Sequence, residues 1–307
     1  MSNIGRRAVR RQIRPRDVSR AQAAFVWALL ALSLLATPTQ AASQRAILWE
    51  VRGAAEQPSF VFGTVHSEDP RVLKLPAPVR ERFDGADAVV LELALGPETI
   101  TSLSQAMYLN DGRTLEQLIG SELYNKTAVL LGEYGLPEIA WRHMKPWAAA
   151  VTLSTPKPKT GVVLDQQLHH QAKQQGKTVV GLETATEQIG YFDRISMDEQ
   201  VALLRDSVDA HAELPELFAQ LIDAYLARDL DALVALNEMQ IARDETGAAE
   251  RLMAGLIDER NKTMIERMVP LLAEGNVFVA IGALHLPGDN GILSLLKQRG
   301  YEVKPVY

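Results

Sequence analysis

Short continuous apolar runs, rather than long alternating ones, set the β pattern of this chain. Val277 to Ile281 is β-branched and unbroken, meets Gly282, and ends at His285 just before Pro287 and Gly288. Such a run reads as a strand buried on both faces. Ser59 to Val65 repeats the pattern with Gly63 and His66, so the chain carries two G-x-x-H strand ends. Ala88 to Leu93 and Thr178 to Leu182 are two further runs, and each has a glutamate at its carboxyl end, Glu92 and Glu183. Ile47 to Arg52 is joined to the Ser59 run by a short polar loop, the signature of a hairpin.

Helical periodicity fills the rest. Pro76 to Phe83 predicts a short helix, and a second begins at Pro97, where the ring suits a first turn. Breaks are expected at Asp111-Gly112, Gly120 and Gly135 to Pro137. Leu164, Leu168 and Ala172 share one helix face. Leu214, Leu217, Phe218, Leu221, Ile222 and Tyr225 recur at i, i+3, i+4, i+7, i+8 and i+11, an amphipathic stripe. The expected fold is therefore α/β: a mixed, mostly parallel sheet with βαβ units at 59–93 and 277–306. A large helical insertion at about 187–275 is expected to cover the sheet or cap its carboxyl edge.

The first 41 residues stand apart. They hold seven arginines and one aspartate, so the rest of this 307-residue chain of net charge −6 carries −12. Arg6 to Arg20 precede the apolar stretch Ala23 to Ala36, and small residues follow around Ala41 and Ala42. This reads as a secretory signal peptide over 1–41, with a mature domain at 42–307 in the periplasm. An uncleaved anchor is the other reading, but the apolar stretch is shorter than the roughly 20 residues a membrane span needs. No stable span is expected after cleavage. An acidic body argues against nucleic acid as a partner, because a basic footprint is absent. A peptide or a small molecule is the expected ligand. With no cysteine in the chain, disulfides and thiol chemistry are excluded.

His66, Glu92, Glu183 and His285 each fall at the carboxyl end of a predicted strand, where open α/β sheets bind ligands. Two imidazoles and two carboxylates suit manganese, cobalt or zinc, which would lower the pKa of a bound water and support hydrolysis. Gly63 and Gly282 would let each strand pass close to a neighbour and re-aim its histidine. Plainer readings exist beside this one. Either histidine alone is more often structural, and the two glutamates could cap nearby helix starts. Arg260 and Asn261 read as a solvated helix face, and Asp165 with His169 as a polar surface patch.

Gly63-Thr-Val-His66, Leu91-Glu92, Gly181-Leu-Glu183-Thr with Glu187-Gln188, Arg260-Asn261 and Gly282-Ala-Leu-His285 occur in the order of the TraB/GumN family. The chain resembles that family from about Leu48 to Val306. The family is related to the TIKI proteins, metal-dependent proteases. The resemblance implies metal ligation by His66, His285 and glutamate, catalytic positions at Glu92, Glu183, Arg260 and Asn261, and an oxyanion-stabilising role for Arg260. Bacterial relatives usually show Gly-Ala-Gly-His or Gly-x-x-His at residues 282–285, and Ala283-Leu284 satisfies only the looser form. A hydrolase using Glu92 or Glu183 as general base is the leading expectation. A non-catalytic protein that sequesters a peptide or small ligand is the alternative.

Overall fold

The computed structural model describes residues 45–244 and 246–307; the signal peptide read from residues 1–41 lies outside them. The buried runs become β1 (Leu48–Arg52), β2 (Ser59–Thr64), β3 (Ala88–Leu93), β4 (Thr178–Glu183) and β5 (Val277–Gly282), with β6 (Glu302–Pro305) near the end of the chain. They pair in the order β4-β3-β5-β2-β1-β6. The β2–β5, β3–β5 and β3–β4 pairs are parallel, and β1 runs antiparallel to both β2 and β6. The result is the mixed, mostly parallel α/β sheet expected from the sequence, including the β1–β2 hairpin.

One expected unit is arranged differently. β5 and β6 do run in the same direction, but β2 and β1 lie between them, so β6 is an edge strand paired to β1. The hairpin has already taken the place beside β5. β6 is largely exposed, as suits an edge and not a sheet centre. The 59–93 unit is likewise parallel, with β5 inserted between β2 and β3.

Short helices α1 (Pro70–Leu73) and α2 (Ala77–Gly85) join β2 to β3. Five helices separate β3 from β4: α3 (Pro97–Ala106), α4 (Leu115–Glu133), α5 (Glu138–Trp141), α6 (Pro146–Leu153) and α7 (Leu164–Gln174). Gly120, at φ 76°, kinks α4 where a break was expected. Between β4 and β5 lie α8 (Ala185–Arg194), α9 (Met197–Asp209), α10 (Leu214–Leu226), α11 (Leu230–Ile241) and α12 (Ala248–Ala254). A π-helical turn, Gly255–Glu259, then leads into α13 (Arg260–Glu274), and α14 (Ile292–Gln298) links β5 to β6.

Two cores hold this together. The sheet core is centred on Phe278, whose ring meets Phe62 at 5.8 Å and Phe83 edge-on at 5.4 Å, the offset geometry aromatic pairs prefer. A second core joins α4 and α6 to α8 and α9 through Leu115, Leu131, Trp147, Leu153, Ile189 and Leu204. The helical cap is thus built from both connections, 97–174 as well as 185–274. The buried Tyr225 of α10 ties it to the sheet by donating its hydroxyl to Gly63 O at 2.9 Å. Tyr225→Phe is expected to cost about 1 kcal/mol, the net worth of one such bond, read as a lower urea midpoint at unchanged slope. No helix among the described residues is long and apolar enough to cross a membrane.

Candidate functional site

The parallel strands bring both G-x-x-H segments to one rim. β2 and β5 are neighbours, with Gly63 opposite Ile281 and Thr64 opposite Gly282, so the two histidines leave adjacent strands at nearly the same height. His66 lies two residues past β2. His285 closes a 3₁₀ turn, Ala283–His285, that follows β5 directly. Both glycines sit at close approaches. A Cβ at Gly63 would stand 2.9 Å from Leu286 Cδ1 and 3.2 Å from Ala283, and one at Gly282 would stand 3.2 Å from Glu92 Oε1.

Glu92 is the hub. Its Oε1 accepts the Gly282 amide at 2.7 Å, and its Oε2 accepts from Arg260 Nη2 at 2.6 Å and Gln188 Nε2 at 3.3 Å. Burial alone would raise its pKa. His285, Arg260 and the Gly282 amide outweigh that and hold the carboxyl down at about 2. It is an anion at any working pH, and too weak a base to take a proton readily near neutrality.

Glu183 is placed otherwise than as a metal ligand. Both its oxygens accept from Arg260 Nε at 3.0 Å, and Oε2 also accepts from Nη2 at 2.7 Å. Burial lifts this carboxyl above its ordinary value and the guanidinium opposes it. Arg260 also donates through Nη1 to Leu256 O at 3.1 Å, which leaves one Nη1 hydrogen without a partner among the described residues. The arginine implied as an oxyanion donor is therefore a clamp between two carboxylates. Neither glutamate caps a helix: Thr184 and Glu187 form the capping box of α8. Nor do Arg260 and Asn261 form a solvated face, since they are 6% and 0% exposed. The π turn ahead of α13 shifts the helix register just before this pair, a feature common at functional sites.

Asn261 sets the state of His285. Its Nδ2 donates to His285 O at 3.3 Å and Asn290 O at 2.9 Å, so its Oδ1 is the atom facing His285 Nδ1 at 2.7 Å. An amide oxygen only accepts, so Nδ1 carries the proton. Burial depresses the His285 pKa to about 4, the ring is neutral at pH 7, and Nε2 presents a lone pair. That lone pair faces Glu92 Oε1 at 3.7 Å. Imidazole nitrogen beside carboxylate oxygen is a donor pair whose chemistry fits a divalent cation of the zinc or manganese kind.

His66 differs from His285 in being exposed, with 67% of its side chain open to solvent. Its Nδ1 lies 3.5 Å from Asp165 Oδ2, a buried oxygen with no hydrogen-bond partner, while Asp165 Oδ1 accepts from Thr64 Oγ1 at 2.7 Å. Burial raises the Asp165 pKa, with His66 opposing it. The expected pairing of Asp165 with His169 as a surface patch is replaced by this contact. The only sequence hint was Thr64 and Asp165 themselves, polar residues beside apolar ones. Among the described residues no group of three or more such side chains is arranged to hold a metal ion. The four residues predicted as one ligand set thus divide: His285 and Glu92 face each other, His66 stands on the same rim with Asp165, and Glu183 belongs to Arg260.

A cavity of about 660 Å³ opens over this rim. His66, Glu92, Arg260 and His285 form its polar floor, and its walls are apolar: Leu103 before the end of α3, Trp147 of α6, Phe192 of α8, Leu221 of α10 and Leu233 of α11. A largely apolar pocket with a few convergent polar groups is the usual form of a ligand site.

Metalloprotease TIKI1 of Danio rerio is 25% identical in a match that covers 87% of this chain and 64% of that protein. Metalloprotease TIKI2 of Xenopus tropicalis is 26% identical, covering 84% of this chain and 59% of that protein. The uncharacterized protein YbaP of Shigella flexneri is 25% identical over 78% of this chain and 88% of its own length. The chain thus spans about three fifths of the metalloproteases it matches. No solved structure matches it. The TraB/PrgY/gumN family matches over residues 47–305, nearly the whole described structure and every residue of the rim, and the chain belongs to that family.

Proposed function

We propose that this protein is a periplasmic, metal-dependent hydrolase of peptide or related amide bonds. The observation that carries this reading is His285 Nε2 standing 3.7 Å from Glu92 Oε1 on the floor of a ligand-sized cavity, with Nδ1 engaged by Asn261 Oδ1 at 2.7 Å. The metalloprotease names of its relatives agree with that chemistry. His285 and Glu92 would hold the ion, with His66 on the neighbouring strand end. A divalent ion there supplies a water of lowered pKa and polarises a carbonyl. Manganese, cobalt and zinc all suit these donors. Export rests on the arginine-rich and apolar segments of residues 1–41.

The chain's own residues have separable tasks. Asn261 fixes the tautomer of His285, and Arg260 and the Gly282 amide fix both oxygens of Glu92. His66, with Nδ1 3.5 Å from Asp165 Oδ2, lines the cavity with an exposed ring and is the group best placed to move a proton to or from a substrate. A substrate seated on the apolar walls would displace water from the floor, which strengthens the charge interactions there.

Metal analysis of the purified protein, beside His66→Ala and His66→Ala/His285→Ala, tests this. Wild type is expected to retain close to one manganese, cobalt or zinc per chain after dialysis. The double variant, with an unchanged circular dichroism spectrum, is expected to retain none. A wild type that binds none of the three ions under titration would overturn the metal mechanism and leave a ligand-sequestering protein as the better account.

A further inference from the structure

A second cavity, of about 1060 Å³, adjoins the first: Leu217, Leu221, Asn237 and Gln240 line both. It runs along α9, α10 and α11 to α12. Its walls include the half-buried side chains of Phe218, Ile241 and Leu252, with Met239 54% exposed at its edge. Single cavities that hold a drug-sized ligand measure about 300–1,000 Å³, and this one exceeds that range before the catalytic cavity is added. Its charge is one-sided. Asp209, Glu213, Glu216 and Asp244 line it; Glu213 is bound to Arg243 at 2.7 Å, Asp244 accepts from Thr246 and Ala249 at the start of α12, and Glu216 accepts from Gln220 Nε2 at 2.9 Å, so acidic charge still exceeds the one guanidinium in the lining.

We infer that the substrate is a cationic amphipathic peptide, seated with its apolar side chains on α10 and its lysines or arginines along this acidic groove, while the bond to be cut lies over His66, Glu92 and His285. This rests on the hydrolase reading and supplies its substrate class. Two features of the groove commit the occupant. It is continuous with the cavity that holds the reactive groups, so a chain anchored in one reaches the other. An apolar wall beside a row of carboxylates also complements alternating apolar and basic side chains and repels acidic ones. A small apolar molecule would use the wall and leave the negative potential of the groove uncomplemented.

The test measures binding, which needs no turnover. Fluorescein-labelled 14-residue peptides of leucine and lysine, and of leucine and glutamate, are titrated with the purified protein at low and at physiological salt. The leucine–lysine peptide is expected to bind at least about tenfold tighter, a difference of roughly 1.4 kcal/mol, with the preference shrinking as salt rises. Asp209→Lys/Glu216→Lys is expected to remove that preference. Both positions are exposed; a lysine at 209 sits favourably at the carboxyl end of α9, whereas one at 216 enters the first turn of α10 at a cost of about 0.3–1 kcal/mol, so circular dichroism is read for both charge-reversed pairs. Glu56→Lys/Glu122→Lys makes the same change in net charge at exposed sites outside the groove and should leave binding within about twofold. The readout is binding and not turnover, so a charge-selective groove in a protein that holds no metal would overturn the hydrolase reading and leave this assignment standing. Equal losses in the two charge-reversed pairs, or none in the groove pair, would overturn the assignment.

Discussion

Arg260→Met is expected to destabilise the protein by about 3–5 kcal/mol, the usual cost of removing one partner from a buried ion pair. The arginine holds two carboxylates that are themselves buried, Glu183 through three contacts of 2.7–3.0 Å and Glu92 at 2.6 Å. Methionine fills much of the volume, so packing is nearly preserved and the loss reports the charges. Domains of this kind are stable by about 5–15 kcal/mol in total, so the variant should unfold at a much lower urea concentration, with the slope of the transition unchanged. Adding Glu183→Gln is expected to recover part of the loss, because one unpaired anion is then removed, while Glu92 remains exposed to the same penalty. Arg260→Lys should not rescue: a single ammonium cannot supply the fork that grips both oxygens of Glu183 and reaches Glu92 as well. A loss below about 1 kcal/mol in Arg260→Met would mean that this triad is not the clamp described, since surface pairs are worth no more than that.

The parts of this site that could be read from the sequence are those written in short stretches of chain. Short unbroken apolar runs made β2, β3, β4 and β5 legible as strands, although β4 is an edge strand and only partly buried, and the ionisable groups at their ends were legible too. The close approach expected at Gly63 and Gly282 is present because the turn after β5 and the Glu92 carboxylate occupy the space a Cβ would need. Partnerships were not legible. Glu183 meets an arginine 77 positions later, Glu92 one 168 positions later, and Thr64 an aspartate 101 positions later. Hydropathy periods describe which face of an element is buried and say nothing about which charged residue of another element lies opposite. For that reason Glu183 read as a ligand, Arg260 and Asn261 as solvent-facing, and Asp165 as surface. The edge place of β6 was hidden for a related reason. A strand–helix–strand order predicts a parallel direction, which is observed, but not how many strands intervene, and the earlier hairpin had taken the adjacent place.

Asn261→Leu is expected to weaken metal binding by about 10–100-fold, the range found when the partner of a ligating histidine is removed. It should also lower stability by about 1–3 kcal/mol, the cost of one buried polar group left unpaired, here the carbonyl of His285. The loss of affinity has a specific cause. Without the Asn261 oxygen, the imidazole gains by moving its proton to Nε2, where Glu92 Oε1 waits 3.7 Å away as an acceptor. The nitrogen that should offer a lone pair then carries a hydrogen, and the donor pair closes on itself. Asn261→Asp divides the two effects. A carboxylate still accepts from Nδ1 and keeps the proton there, so Nε2 remains a donor atom for a metal. It has no amide hydrogens for the two carbonyls and faces them with a charge, so stability falls. Nitrogen-15 spectra of the metal-free imidazole, read beside manganese and zinc titrations by calorimetry, distinguish these outcomes. The tautomer should switch in Asn261→Leu and hold in Asn261→Asp, and metal affinity should follow the tautomer rather than the stability. If Asn261→Leu bound metal as tightly as wild type while losing only stability, Asn261 would be a packing residue, and the geometry of His285 would have to be set by the turn after β5 alone.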